Sequence, residues 1–375
     1  LRAAGFAVTE GVGGHGVVGV LKNGKGPTLM IRADMDALPI EEKTDKSYAS
    51  TVVAQGRDGQ PTPVMHACGH DIHMSVFVGT ARQMNTAKAD WRGTLVMVAQ
   101  PAEERSGGAK AMLADGLFER FPRPDYNLAI HVASDMAAGN VGAVAGYFMA
   151  NVDSVDILVR GKGGHGAYPN RGKDPVVLAA ELVMALQTIV SREISPLEPA
   201  VVTVGSIHGG KQHNIIPDAV KLQLTLRSYS PQVRDQTIAA IRRLAEHMGR
   251  AHGLPDDLLP VVTVLDEYTP AAYNHPELTQ RMLDVFANTL GERHVVPVVK
   301  EMVGEDFGRY GSVKPEIPSL MFRLGTVEPQ QLARAQAQGD ILPGLHSAYF
   351  APDFEPTIAT GVAAMTAAAL ELLKR

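Results

Sequence analysis

The chain is poor in the residues that staple or anchor small folds. Among 375 residues it has one cysteine and one tryptophan, and aromatics make up 5%. A single cysteine cannot close an intramolecular disulfide, so this is no disulfide scaffold, and any thiol chemistry belongs to Cys68. No sign of charge dominates: 35 basic against 40 acidic residues give a net charge of −5. That balance lacks the basic stripe that holds nucleic acid, which is not an expected partner. No apolar run approaches the roughly 18 residues of a membrane span, and the C-terminal TGVAAMTAAALELLKR has the pattern of an amphipathic, alanine-rich helix. No membrane span is expected. A chain that is 45% hydrophobic and 20% charged has ample core. Its length suits about two to three domains. The N-terminus carries no Met and no signal-peptide core, and it opens inside what reads as a folded unit. The expectation is a cytoplasmic protein with its first residues missing, a lost export signal staying open.

What is present is an alternation of strand and helix. TLMIRADMD (28–36), TLVMVAQPAEE (94–104) and NLAIHV (127–132) are strand-like, and HDIHMSVFVGTARQM (70–84) and GGAKAMLADGLF (107–118) have helical spacing. Strands separated by helices of this length imply crossover connections and a mostly parallel α/β sheet covered on both faces. Near residue 150 the pattern changes to strand, helix, two strands, helix, strand, which is the ferredoxin-like order of an α+β unit. We therefore expect a discontinuous α/β domain, 1–150 and 266–375, with a smaller α+β domain, 151–265, inserted into it.

Thirteen histidines stand beside the lone cysteine. The densest stretch is Met65-His66-Ala67-Cys68-Gly69-His70-Asp71-Ile72-His73. Cys68 and His70 are two residues apart and point to one side of an extended loop, as two ligands from one segment should. A lone Cys is ordinarily a small core residue and a lone His a satisfied polar one. Clustered with Asp71 and two further histidines, they point to a metal, with His66 and His73 open as ligands instead of, or beside, the first pair. Gln100-Pro101-Ala102-Glu103-Glu104 follows the end of a strand. An isolated Glu pair is normally a solvated turn, but adjacent carboxylates face different ways, so one can hold metal while the other takes a proton from water. His131 closes an apolar strand, Asp34 and Asp36 close another, and Asp36 is placed to hold a ligand or to accept a hydrogen bond behind one. All these segments lie just beyond strand ends, where open α/β sheets build their sites. His346 lies far along the chain and could complete the cluster.

MHACGHDIHMS, QPAEE, LAIHV, GKGGHGAYP, GGKQHNIIPD, GEDF and LHS, in this order, span nearly the whole chain. They resemble the co-catalytic metal amidohydrolases of the aminoacylase and carboxypeptidase superfamily, nearest to hippurate hydrolases, N-acetyl-amino-acid deacetylases and indoleacetyl-amino-acid hydrolases. The resemblance implies a metallopeptidase-like catalytic domain whose inserted unit serves as lid and dimerisation domain. It implies two divalent ions per subunit, with Cys68 shared or adjacent to both and His70, Glu104, His131 and His346 as the other ligands. Glu103 would be the general base and Asp36 the acid that orients the cluster. Other branches carry His where this chain has Asp34 and lack the Cys, so the ligand set follows the Cys-containing branch. Thiolate and imidazole make Zn the first choice, with Mn, Co or Ni open. His165, in Gly163-Gly164-His165-Gly166, would stabilise the oxyanion, commonly in a partner subunit's site. Asn214 and Arg227 would hold the substrate's amide and carboxylate, and the GEDF loop would be supporting. By themselves His165, Asn214 and Arg227 would be a glycine turn, a turn cap and an exposed edge charge.

The implied reaction is hydrolysis of an N-acyl amino acid by metal-bound water, releasing a carboxylic acid and a free amino acid, in a homodimer. Dipeptidase or carboxypeptidase-type exopeptidase activity and a non-catalytic metal protein of the same fold are the alternatives. A cysteine nucleophile, Cys68 with His70, is disfavoured because no third group orients the pair and the Glu pair is left unexplained. The acyl pocket is illegible; Met149, Phe307 and Leu345 are the positions adjacent to motifs.

Overall fold

The computed structural model describes residues 1–56 and 58–374. Ala7–Val12 (β1) and Gly16–Asn23 (β2) form a hairpin that the sequence reading left unassigned. Thr28–Asp34 (β3) is buried along nearly its whole length, as a strand covered on both faces should be. His70–Thr86 (α1), Gly93–Gln100 (β4) and Gly108–Ala114 (α2) follow. The expected single helix over 107–118 is broken, because Gly116 takes φ +79° and a separate turn, Leu117–Arg120, starts there. Tyr126–Ala137 (β5) and Val141–Gly142 (β6) end the first stretch.

A different unit comes next: Asn151–Arg160 (β7), Pro175–Thr188 (α3), Ala200–Gly209 (β8), Ala219–Ser228 (β9), Pro231–Ala251 (α4) and Val261–Val264 (β10). Asp174 and Ser230 cap its two helices, each followed by a proline at the first helical position. The chain then returns through Pro276–Leu290 (α5), Ser319–Val327 (β11), Pro329–Gln338 (α6) and Phe354–Leu372 (α7).

The larger sheet has the order β1-β2-β4-β3-β5-β11-β6. Its four central strands, β4, β3, β5 and β11, are parallel, and the remaining pairs are antiparallel. Helices α1 and α7 pack together over it, closely enough that a Cβ on Gly361 would lie 2.6 Å from Val76 Cγ2. The smaller sheet, β8-β9-β7-β10, is antiparallel, with α3 and α4 packed on it through Leu178, Leu182, Leu186, Ile238 and Ile241. The order of strands is that of a ferredoxin-like unit.

The chain divides into two compact units, Leu1–Phe148 with Tyr273–Lys300 and Asp306–Arg375, and Met149–Ala272 with Glu301–Glu305. The smaller thus takes in 149–150, 266–272 and 301–305, which were expected in the larger. Against the expectation that no apolar run approaches the length of a span, the helical stretch Pro175–Glu193 is long and apolar enough by length and composition alone, a test that core helices also pass, and a third of it is buried. Leu178, Leu182 and Leu186 face the core while Val177 and Met184 are exposed, so it is apolar on both faces.

Candidate metal centre

Parallel strands place their C-terminal ends on one side of a sheet, and β3, β4 and β5 deliver the site there. Asp34 ends β3 opposite Gln100 at the end of β4, and His131 lies within β5. The turn after β4 carries Glu103 and Glu104 between Ala102 and Ser106, both at φ +55°. Its return is possible only at a glycine, since a Cβ on Gly108 would sit 1.7 Å from Pro101 O. The loop before α1 bends at Gly69, φ +73°, where a Cβ would meet Val132 Cγ2 at 2.6 Å. His346 takes φ +63° and ties to the same loop through its N–H, which donates to Ala67 O at 2.8 Å. Non-glycine residues in this region are strained, and such strain concentrates at functional sites.

These segments converge. Cys68 Sγ lies 3.7 Å from His131 Nε2 and is hydrogen-bonded with the Glu104 carboxylate. His346 Nε2 is 3.4 Å from Glu104 Oε2, and His70 Nε2 is 3.8 Å from Glu104 Oε1. Cys68, His70 and His131 form one close triad of ligand atoms, and Cys68, Glu104 and His346 form another. Cys68 belongs to both. Asp36 accepts the Glu104 N–H at 3.0 Å through one oxygen and lies 3.4 Å from His70 Nδ1 with the other, tying the acidic turn to the histidine loop.

The donor set fits a divalent cation. His70 Nδ1–H donates to Asp36 O at 2.9 Å, leaving Nε2 bare, and Nε2 has no hydrogen-bond partner although buried. Asp36 Oδ1 and Glu104 Oε1 are orphaned in the same way. Buried polar atoms are normally paired, so three orphans in one spot mark room for an ion. His131 Nδ1 lies 2.8 Å from Val132 O and 3.0 Å from Arg323 Nη1, which also donates to that carbonyl, and its Nε2 faces Cys68. Burial, with Arg323 and His73 beside it, holds His131 well below the usual histidine range, in the neutral form a metal needs. Burial opposes charge on His70 too, yet Asp34, Asp36 and Glu104 outweigh it and raise its pKa to about 9. Burial, with Asp36 nearby, also raises Glu104. The pocket of acids calls for positive charge.

Residues 30–371 match the family model described as Peptidase family M20/M25/M40. The chain belongs to this family. It is a metal-dependent hydrolase of amide bonds. Across 323 residues, 85% of this chain and 79% of the relative, it is 36% identical to N-acetyldiaminopimelate deacetylase of Leuconostoc mesenteroides. It is 34% identical over 357 residues to thermostable carboxypeptidase 1 of Saccharolobus solfataricus, covering 94% and 83% of the two chains. A Bacillus subtilis structure described as a dinuclear metal binding peptidase from the M20 family superposes with a TM-score of 0.78 at 26% identity, covering 100% and 89%.

Behind the centre of this M20 chain lies a buried polar layer that sequence reading missed. Arg32 donates to Asp34 Oδ2 (2.7 Å), Asp306 Oδ1 (3.0 Å) and Gln100 Oε1 (3.0 Å). Asp306 also accepts from Gln100 Nε2 and Ala109 N–H, so the GEDF loop is an anchor for β4 and α2. Asp34 Oδ1 in turn meets His73 Nδ1 at 2.5 Å, while His73 Nε2 accepts the Val132 N–H at 3.0 Å. Both His73 nitrogens are thereby engaged. Burial opposes it, but His70, His73 and Arg32 hold Asp34 well below the usual carboxylate range. The available signal was a single arginine inside each of two apolar strands, TLMIRAD and SLMFRLG.

His165, Asn214 and Arg227 belong to the smaller unit. His165 pairs with Ile215 in a two-residue strand, and Asn214 O accepts the Gly166 N–H at 2.8 Å, so these two exposed residues lie on adjoining segments. Arg227 is half-buried in β9, and burial lowers its pKa. Of the acyl-pocket positions, Met149 and Phe307 are buried, at 1% and 2% exposure, and are core residues; Leu345 is partly buried against the core.

Proposed function

We propose that this amidohydrolase cleaves N-acyl amino acids, releasing a carboxylic acid and a free amino acid. The observation that carries the reading is the pair of ligand triads sharing Cys68, with Glu103 next to the ligand turn. Cys68, His70, Glu104, His131 and His346 would hold two divalent ions. The thiolate and three imidazoles favour Zn over Mn, Co or Ni. Bound at these ligands, such ions supply an acidified water and a polarised carbonyl. Glu103 takes the proton of the attacking water and returns it to the leaving nitrogen. Asp36 keeps the Glu103-Glu104 turn and His70 in register. The deacetylase relative supports an N-acyl substrate, whose free carboxylate Arg227 would grip and whose amide Asn214 would orient. His165, brought from a second copy of the chain, would donate to the oxyanion. The exposed apolar side of α3, with Val177 and Met184, and the open edge of β8 favour a homodimer formed through the smaller unit.

The test is Glu103→Gln on metal-loaded protein, with a panel of N-acyl amino acids and dipeptides. Metal content should stay unchanged while turnover drops about 10²- to 10⁴-fold, the usual contribution of a positioned proton-transfer group. Near-normal hydrolysis in the variant would remove Glu103 from its role. Preference for dipeptides over every N-acyl substrate would transfer the reading to an exopeptidase, as in the carboxypeptidase relative.

A further inference from the structure

A cavity lies in the larger unit. It measures about 470 Å³, within the range of small-molecule sites, and Ala37, His66 and Asp71 form part of its wall. None of the three is a proposed metal ligand, yet Ala37 follows Asp36 and Asp71 follows His70. Its apolar lining comes from the start of α7 and the segment before it, with Phe350 and Ile358, and from Val52, Val64, Met65 and Ile72. At the rim Tyr48 and Phe354, 59% and 40% exposed, stand edge to face with ring centres 5.5 Å apart. Exposed aromatics over an apolar pocket suit a planar or branched hydrocarbon group.

The polar groups of the wall carry both signs. Glu42 is held in place by two local bonds, accepting from Thr44 Oγ1 at 2.5 Å and the Ser50 N–H at 2.8 Å. Lys46 has no ion-pair partner among the described residues, and Asp71 spends one oxygen on the Ile72 N–H at 2.9 Å, leaving the other open. Burial, and then the charges of Glu42, Asp71 and Asp353, raise the Tyr48 hydroxyl at the rim.

We propose that this pocket binds a free α-amino acid with a large apolar side chain, its carboxylate on Lys46 and its ammonium on Asp71. An N-acyl amino acid has no ammonium and is refused. If the hydrolytic reading above holds, the pocket is a sensor for the product class, and the connection to the metal centre is short. The carbonyl of Asp36 is contacted by His66 Nδ1 at 3.1 Å and by His70 Nδ1 at 2.9 Å. His66 lines the cavity, so a ligand seated there shifts the His66 contact with the carbonyl that also orients His70, and occupancy lowers activity.

The experiment is calorimetric titration of the metal-loaded protein with L-phenylalanine, phenethylamine and N-acetyl-L-phenylalanine, repeated on Lys46→Met and Ile358→Trp. Phenylalanine should bind the wild type, and Lys46→Met should weaken it about 10- to 100-fold, the size of one lost charge-assisted contact. Ile358→Trp, which fills the cavity, should abolish it. Both variants should relieve inhibition by added phenylalanine without changing basal turnover. Equal binding of phenylalanine to all three proteins, or of all three compounds to the wild type, would overturn the proposal. Failure of the hydrolytic reading would show separately, as an N-acyl panel without turnover beside intact phenylalanine binding.

Discussion

Arg32 offers the sharpest test of the buried layer behind the metal centre. It is 1% exposed and is the cation between Asp34 and Asp306, both 0% exposed. Arg32→Met retains an apolar stem and removes the charge. Asp34 keeps its contact with His73, so the stranded group is Asp306, left with Gln100 and the Ala109 N–H. Removing one partner of a buried pair costs about 3–5 kcal/mol. Protonation sets a ceiling: neutralising a carboxyl of pKa about 3.9 at pH 7 costs about 4 kcal/mol. We expect a loss of about 3–4 kcal/mol at pH 7, a large part of the roughly 5–15 kcal/mol of a whole domain. The sign with pH follows. Burial already raises Asp306, with Arg32 holding it down. Without Arg32 the folded variant takes up a proton that the unfolded chain does not, so its deficit shrinks as pH falls, by about 1.4 kcal/mol per unit toward pH 5. Urea unfolding of chelator-treated wild type and variant would measure this. The lone Trp91, fully buried in the larger unit, is the fluorescent reporter. The companion change Asp306→Asn in the Arg32→Met background should recover part of the loss. A deficit below about 1 kcal/mol, or one equal at pH 5 and pH 7, would refute the placement of a charged pair in this layer.

Cys68→Ala removes the atom common to both triads, so bound metal measured by elemental analysis and turnover should fall together; full metal content would detach Cys68 from the site. Gly69→Ala should lower thermal stability and metal affinity together, because both φ +73° and the 2.6 Å approach to Val132 resist a side chain; a wild-type melting temperature would contradict the loop geometry. In the smaller unit, Asp153 is buried and accepts two bonds from Arg234, at 2.7 and 2.6 Å. Arg234→Met should destabilise by about 3–4 kcal/mol in chemical unfolding at pH 7, under the same ceiling, and a loss under about 1 kcal/mol would mean the pair is not formed in solution.

The ligand segments were legible because each is short, chemically unusual and placed at a strand end, so local pattern was enough. The α/β alternation and the ferredoxin-like order were legible for the same reason: strand and helix periods are local. What sequence could not show is pairing across long separations. Arg32 and Asp306 are 274 positions apart, and nothing in either segment names the other. His73 was left open as a ligand, and only its contacts with Asp34 and the Val132 N–H show how it is engaged. The length of the apolar stretch in α3 was not counted because Glu181 interrupts it, although one charge does not make a helix polar. The N-terminal hairpin was missed because glycines at 11, 13, 14 and 16 obscure its alternation.

The pairing of β5 with β11 sets an order of events during synthesis. Asn127 and Ser319 are neighbours in the sheet but 192 positions apart in the chain, and the whole smaller unit lies between them. At about 5–20 residues per second, β5 waits some 10–40 s on the ribosome for its partner strand, with one edge and a largely apolar sequence uncovered. The smaller unit has time to fold first, and the larger sheet closes only when the final hundred residues emerge. His346 arrives later still. Metal capture by the complete ligand set is therefore a late event, and a nascent or truncated chain ending before β11 carries an open, aggregation-prone edge instead of an enzyme.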